Sequence, residues 1–234
     1  MTNQAPQGIR ARARAELLAE VSRIARNHLA TAGASELSVR AIARELDMAS
    51  SALYRYYPSR DALLTQLIIE AYSELGNAVE TAEAAVERSD FAGRYRAAAR
   101  AVRTWSRANP HEYALIYGSP VAGYEAPSDT VDPALRAASV MIRLTADIAP
   151  TEHLRRASAP LDPVLIQQLE RSNEFARVDG DLDVLVVGVG LWAQLFGLIS
   201  FELFGTFRNA FDPADELFEH QLDLAVRALG LEPD

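Results

Sequence analysis

Two short apolar runs, Val39-Ile42-Ala43-Leu46 and Leu53-Tyr57, are separated only by a tight connection at Asp47-Met48, and this spacing constrains the fold more than any other feature of the chain. Ser38 stands ahead of the first run, where an N-cap belongs. Upstream, Leu17, Val21, Ile24, Ala25 and Leu29 recur at helical spacing and line one face, with Gly33 just beyond them, where helices commonly end. Downstream, a third helix is expected from about Ser50 to Tyr57, closed by Pro58. Ser59 is then placed to cap a fourth helix, whose Leu63, Leu64, Leu67, Ile68 and Ala71 repeat along one side. Two short helices joined by so small a turn form a helix-turn-helix.

An ordinary helical hairpin would account for the apolar positions alone. The polar positions say more. With Val39, Ile42, Leu46, Met48, Leu53 and Tyr57 turned inward, Arg40, Ser50, Ser51, Tyr54, Arg55 and Tyr56 are left on the outside. A helix that reads a major groove needs small residues near its start and longer donors beside them for base edges and phosphates.

The segment L-S-V-R-A-I-A-R-E-L-D-M-A-S-S-A-L-Y-R-Y-Y-P-S-R-D-A-L-L, Leu37 to Leu64, resembles the DNA-binding signature of the TetR family of regulators. The resemblance implies that Ser38, Tyr54, Tyr56 and Arg60 hold phosphates, while Arg40, Ser50, Ser51 and Arg55 lie nearest the bases. Phosphate contacts set register and base contacts set sequence. The chain departs from the family pattern at Asp47 and Ser51, where glycine is usual, at Ala49, where serine is usual, and at Tyr56, where histidine is usual. Asp47 tolerates a left-handed turn. Ala49 removes a capping hydroxyl from the recognition helix, unless Ser50 takes over and the helix starts one residue late.

The net charge of −9 appears unsuited to nucleic acid until it is divided along the chain. Residues 1–60 hold nine Arg against Glu16, Glu20, Glu36, Glu45 and Asp47, or +4, and the remainder carries 14 − 27 = −13. A basic head on an acidic body repels DNA from every face but one. Arg10, Arg12 and Arg14 precede the first apolar helix as a short basic arm, either a solvated, partly disordered tail or an arm that follows the DNA backbone or enters a minor groove. The chain contains no cysteine, which removes disulfides and thiolate metal sites. The first ten residues lack the apolar stretch of a signal peptide, so the expected location is the cytoplasm.

The whole chain is expected to be all-α: a helix-turn-helix domain at 10–60 and a larger helical effector-binding and dimerisation domain at 61–231. Asp90 is a candidate helix start, Asn109-Pro110 a break, and Asp132-Pro133, Asp162-Pro163 and Asp212-Pro213 candidate caps and first turns. Val184 to Phe201 is uncharged and just long enough for a membrane span, but it contains Gln194, Gly188 and Gly190 and has no basic flank, so a buried helix is expected. The family resemblance implies a homodimer through about 183–207 and 213–229, double-stranded operator DNA as partner, and a small-molecule effector. Trp105, His111 and Gly118 also resemble the tryptophan, histidine and glycine of one C-terminal subgroup. Trp105, His111, Tyr113, Tyr117, Phe175, Trp192 and Phe196 are candidates to line the effector cavity, though aromatics at helical spacing are also plain core. The loop from Ser119 to Asp132 reads as a lid or as a simple connection.

Nothing in the sequence favours catalysis. His28, His111, His153 and His220 lack ligand spacing, and His28 is expected to make a local hydrogen bond. The chain has no nucleophile elbow, Walker loop or complete dinucleotide loop, and no cofactor is expected. The stripe Arg96, Arg100, Arg103 and Arg107 suits an acidic partner or, the reading preferred, an exposed charged helix face. The reading is a ligand-responsive repressor acting as a dimer on a palindromic site. The alternatives are an activator or ligand-independent regulator, and a helical binding protein with an inactive DNA head.

Overall fold

The computed structural model describes residues 5–149 and 160–231, and every regular element among them is helical. His153 lies outside the described residues. The chain divides into two compact units, Met1–Ala71 with Asn109–Val131, and Tyr72–Ala108 with Asp132–Asp234. These do not coincide with a division at residue 60, because residues 61–71 and 109–131 pack with the first unit.

The first unit contains α1 (Ala5–Ala32), α2 (Val39–Glu45), α3 (Ser50–Leu53), the beginning of α4 (Arg60–Ala84) and α6 (Pro110–Tyr117). Its core joins Val21, Ile24 and Ala25 of α1 to Ile42 and Ala43 of α2, Leu53 of α3, Leu63 and Leu64 of α4, and Tyr113 of α6, all at most 3% exposed. Local chemistry sets the boundaries. Gly33, at φ 79°, takes the left-handed turn that ends α1 and donates its N–H to the Leu29 carbonyl at 3.1 Å. Ser38 caps α2 by accepting the Ala41 N–H at 3.3 Å, and Ser59 caps α4 by accepting that of Ala62 at 3.0 Å. Asp47 adopts φ 51°, as expected for its place in the turn.

The recognition helix is shorter than the expected 50–57 span. It closes at Leu53, and residues 54–56 continue as turns in which Tyr56 and Tyr57 both donate to the Leu53 carbonyl. Pro58 disfavours helical geometry at Tyr57, so the helix cannot run through residue 57. The basic arm is also different from expectation: Arg10, Arg12 and Arg14 lie within α1, on exposed helix. The connection after α6 is tied to α4 by a hydrogen bond of 2.9 Å between the Tyr124 and Thr65 hydroxyls.

The second unit contains the rest of α4, then α5 (Phe91–Ala108), α7 (Val131–Ile148, from Asp132 onward), α8 (Pro163–Ala176), α9 (Leu182–Leu203) and α10 (Asp215–Ala228). Asp90 accepts the Gly93 N–H at 2.7 Å and Asp162 that of Val164 at 2.8 Å, both as expected for caps. Asp212-Pro213 is not a cap and first turn, because α10 begins at Asp215 with Ala214 as its N-cap. α9 ends at Leu203 rather than Phe207, since Gly205 turns the chain at φ 81°. Among the described residues α9 alone is long and apolar enough to cross a membrane, yet Val184, Leu185, Gly188, Leu191, Leu195 and Ile199 are buried against this unit.

The arginine stripe on α5 is solvated only in part: Arg100 and Arg107 are half exposed, Arg96 and Arg103 largely covered, and all four are paired. Arg96 pairs with Asp223 at 2.9 Å and Arg100 with Glu219 at 2.5 Å. Arg103 makes two hydrogen bonds of 2.8 Å to Glu202 and a contact of 2.8 Å to Asp215, which Arg107 also reaches at 3.0 Å. The ladder fastens α5 to α9 and α10 across more than ninety residues of sequence, with Arg103 stacked over the Phe218 ring at 4.5 Å.

The Arg100 hydrogen bond, outweighing partial desolvation, holds the Glu219 carboxyl below its ordinary value. A depressed carboxylate contributes stability above its unfolded pKa, about 4.3, that is lost as pH falls through the lower folded value. Both partners are half exposed, so the contribution is small. Urea midpoints followed from pH 5 down to pH 3 should therefore fall slightly less in Glu219→Gln than in the parent protein. An equal fall would show that this rung carries no pH dependence.

Candidate nucleic-acid interface

The helix-turn-helix places a row of polar side chains over an apolar scaffold. Leu53 is the buried residue of α3, fully inaccessible, and Tyr57 is 6% exposed just beyond it. With these two turned inward, Ser51, Arg55 and Tyr56 are exposed, and so is Arg40 in the first turn of α2. Ser38, Ser50 and Tyr54 are half-buried. Ser38 uses its oxygen to cap α2 and keeps its hydroxyl hydrogen for another acceptor. Ala49 is the N-cap of α3 and makes no side-chain bond, so the helix does not start late.

Arg60, which the resemblance implies holds a phosphate, is half-buried and makes internal hydrogen bonds. It donates from Nη2 to the Ala34 carbonyl at 2.8 Å and from Nη1 to Asp61 at 3.2 Å. The start of α4 is thereby stitched to the connection between α1 and α2. His28 meets Glu45 at 2.6 Å, a bond from α1 to α2 across 17 residues in place of the local one expected.

Sequence reasoning missed the role of Arg14. Its guanidinium lies 5.7 Å from the centre of the Tyr56 ring. Its charge also opposes the upward shift of the neighbouring Tyr57 phenol, which burial and then Glu70 produce. The available signal was the four-residue step from Arg10 to Arg14 in an alanine-rich, helix-forming stretch.

The candidate cavity residues are divided between the two units. His111, Tyr113 and Tyr117 belong to the first unit, where the two tyrosine rings are 5.3 Å apart and His111 is exposed. In the second unit, Trp105 is buried, Phe175 is 42% exposed, and Trp192 and Phe196 are 4.5 Å apart. A cavity of about 70 Å³ in that unit lies between α7 and α9, lined by Ala138, Met141, Ile142, Thr145, Leu185, Gly188, Val189 and Trp192. Of the candidates only Trp192 lines it. Gly188 permits the close approach of α9 to α7: a Cβ there would fall 2.6 Å from the Thr145 methyl.

Among the described residues no group of three or more His, Asp or Glu side chains is arranged to hold a metal ion.

Comparison with known proteins agrees with this architecture. The family model described as "Bacterial regulatory proteins, tetR family" matches residues 23–67, and "Tetracyclin repressor-like, C-terminal domain" matches residues 95–225. The HTH-type transcriptional regulator Rv1816 of Mycobacterium tuberculosis and its counterpart Mb1846 of Mycobacterium bovis are each 38% identical over 225 residues, covering 95% of this chain and 96% of theirs. The crystal structure of a regulatory protein, SCO4313, superposes with a TM-score of 0.76 at 33% identity, covering 93% of this chain and 98% of that one. The TetR family regulator PfmR of Thermus thermophilus shares the fold at a TM-score of 0.51 and 18% identity, with 91% and 99% of the two chains covered. The helix-turn-helix and the helical second unit thus match a single family over nearly the whole chain, and the protein belongs to the TetR family of transcriptional regulators.

Proposed function

We propose that this regulator is a cytoplasmic, ligand-responsive repressor that binds a palindromic operator as a homodimer. The observation that carries the reading is the surface of the helix-turn-helix, where Arg40, Ser51 and Arg55 are exposed above buried Ile42 and Leu53. Arg40 and Arg55 supply donors for guanine edges and phosphates, and Ser51 is small enough for close approach. Tyr54 and Ser38 supply hydroxyls for the backbone, which fixes register.

An apolar face on the last two helices supports dimerisation. Val189 and Phe201 on α9, Phe204 at its end and Leu224 on α10 are each 41–52% exposed, and Gln194 bonds Gln221 at 2.6 Å between the two helices. A second copy of the same face would cover this surface, and a two-fold dimer presents recognition helices to half-sites about 34 Å apart. The effector acts by binding the non-operator conformation more tightly, and a preference of about 1–3 kcal/mol alters operator affinity by about 5- to 150-fold.

The test is selection of bound sequences from random duplex DNA by the purified protein, followed by affinity measurements on the enriched duplex. An enriched palindrome is expected, with Tyr54→Ala weakening binding to it at least tenfold while helical content and dimer mass persist. Weak, sequence-independent binding by the parent protein would defeat the proposal.

A further inference from the structure

The basic residues at the start of α1 form a helical face. At about 100° per residue, Arg10 and Arg14 stand one turn apart on the same side, some 6 Å along the axis, while Arg12 lies on the opposite side. All three are exposed. Arg14 is the one whose surroundings fix its direction, because its guanidinium stacks on the Tyr56 ring beside the recognition segment. Among the described residues no carboxylate pairs with Arg10 or Arg14. Like charges four residues apart on a helix repel each other, which is relieved when an anion lies along both.

Tyr56 has two distinct surfaces to offer. Its ring meets Arg14, the residue is exposed, and a phenol hydroxyl can donate to a phosphate. A phosphate held at Tyr56 would sit close to the Arg14 charge, and one further along the same strand would be within reach of Arg10.

We propose that Arg10 and Arg14 extend the DNA-contacting surface of this protein along the phosphate backbone beyond Tyr56, and that Arg12 takes no part in it. The inference rests on the operator-binding reading. It replaces a flexible minor-groove arm with a rigid helical edge that contributes affinity without reading sequence. Two phosphate contacts release about two counterions, so the dependence of log K on log salt should flatten by about 1.8 when both are removed.

The experiment uses the full chain and the duplex enriched by the parent protein, with binding measured between 50 and 200 mM salt. Over that range the double variant Arg10→Ala/Arg14→Ala should lose about tenfold less affinity than the parent, with the order of preference among operator variants unchanged. Arg12→Ala should keep the parental slope. Alanine favours the helix, so circular dichroism should show all variants folded. A parental slope in the double variant, with specific binding intact, overturns the inference and leaves the operator reading standing. Equal flattening by Arg12→Ala overturns it too, since that is the behaviour of a flexible arm. Failure of the parent to select any duplex removes the operator reading and this inference with it.

Discussion

Replacing Arg94 with alanine is expected to destabilise the second unit by about 3–5 kcal/mol, the range for breaking a buried ion pair from one side. Its side chain is 1% exposed. The guanidinium reaches Glu83 from Nε at 2.6 Å, Asp147 from Nη2 at 2.6 Å and the Arg88 carbonyl from Nη1 at 3.1 Å. Glu83 is itself only 8% exposed, so the substitution leaves a buried carboxylate with Arg88, 2.8 Å away and largely solvated, as its remaining cation. Both tryptophans of the chain, Trp105 and Trp192, lie in the second unit, so urea unfolding followed by their fluorescence reports on it. Adding Glu83→Gln to Arg94→Ala should recover part of the loss, because the stranded charge is gone. A single variant within 1 kcal/mol of the parent, on the scale of an exposed pair, would mean that water reaches the network.

Leu53→Ala carries the second large effect, about 2–5 kcal/mol for truncating a fully buried leucine. Its consequence is local. Leu53 is the buried anchor of a four-residue helix with no capping side chain, and its carbonyl accepts the N–H groups of Tyr56 and Tyr57. With the side chain cut back, the segment carrying Ser50, Ser51, Tyr54 and Arg55 loses its fixed position. Amide exchange across residues 50–57 should accelerate at least 30-fold, the factor that 2 kcal/mol represents, and binding to the selected duplex should be lost. Unchanged exchange would place the anchorage elsewhere, in Tyr57 and the residues around it.

The parts of this molecule that were legible in its sequence are those decided within a few residues. Ser38, Ser59, Asp90 and Asp162 announce helix starts because each accepts an N–H two or three positions ahead. Asp47 announces a turn because aspartate tolerates the left-handed backbone it adopts, at φ 51°. The all-helical class followed from spacing, and so did the exposure of Arg40, Ser51 and Arg55 above the buried positions. What was misread depends on distant partners. The spacing of Arg96, Arg100, Arg103 and Arg107 defines a charged face but contains no sign of Asp223, Glu219, Glu202 and Asp215 waiting across it. The hydrogen bond from Arg60 to the Ala34 carbonyl, 26 residues earlier, was equally invisible in the motif. The aromatic candidates divide between the two units, because periodicity gives the side of a helix and says nothing about which unit that side joins.

The contact between Gly188 and Thr145 also limits the order in which the chain can change. A methyl group at 188 collides with the threonine Cγ2 but would lie 3.8 Å from its Cβ, an ordinary contact. Alanine at 188 is thus blocked in the present background and admissible once Thr145 has become serine, whereas the change at 145 is sterically open from the start. Of the two mutational routes to the same pair of residues, one passes through a strained intermediate and the other does not. Descent along this part of the cavity wall has a direction, written into the distance between two helices.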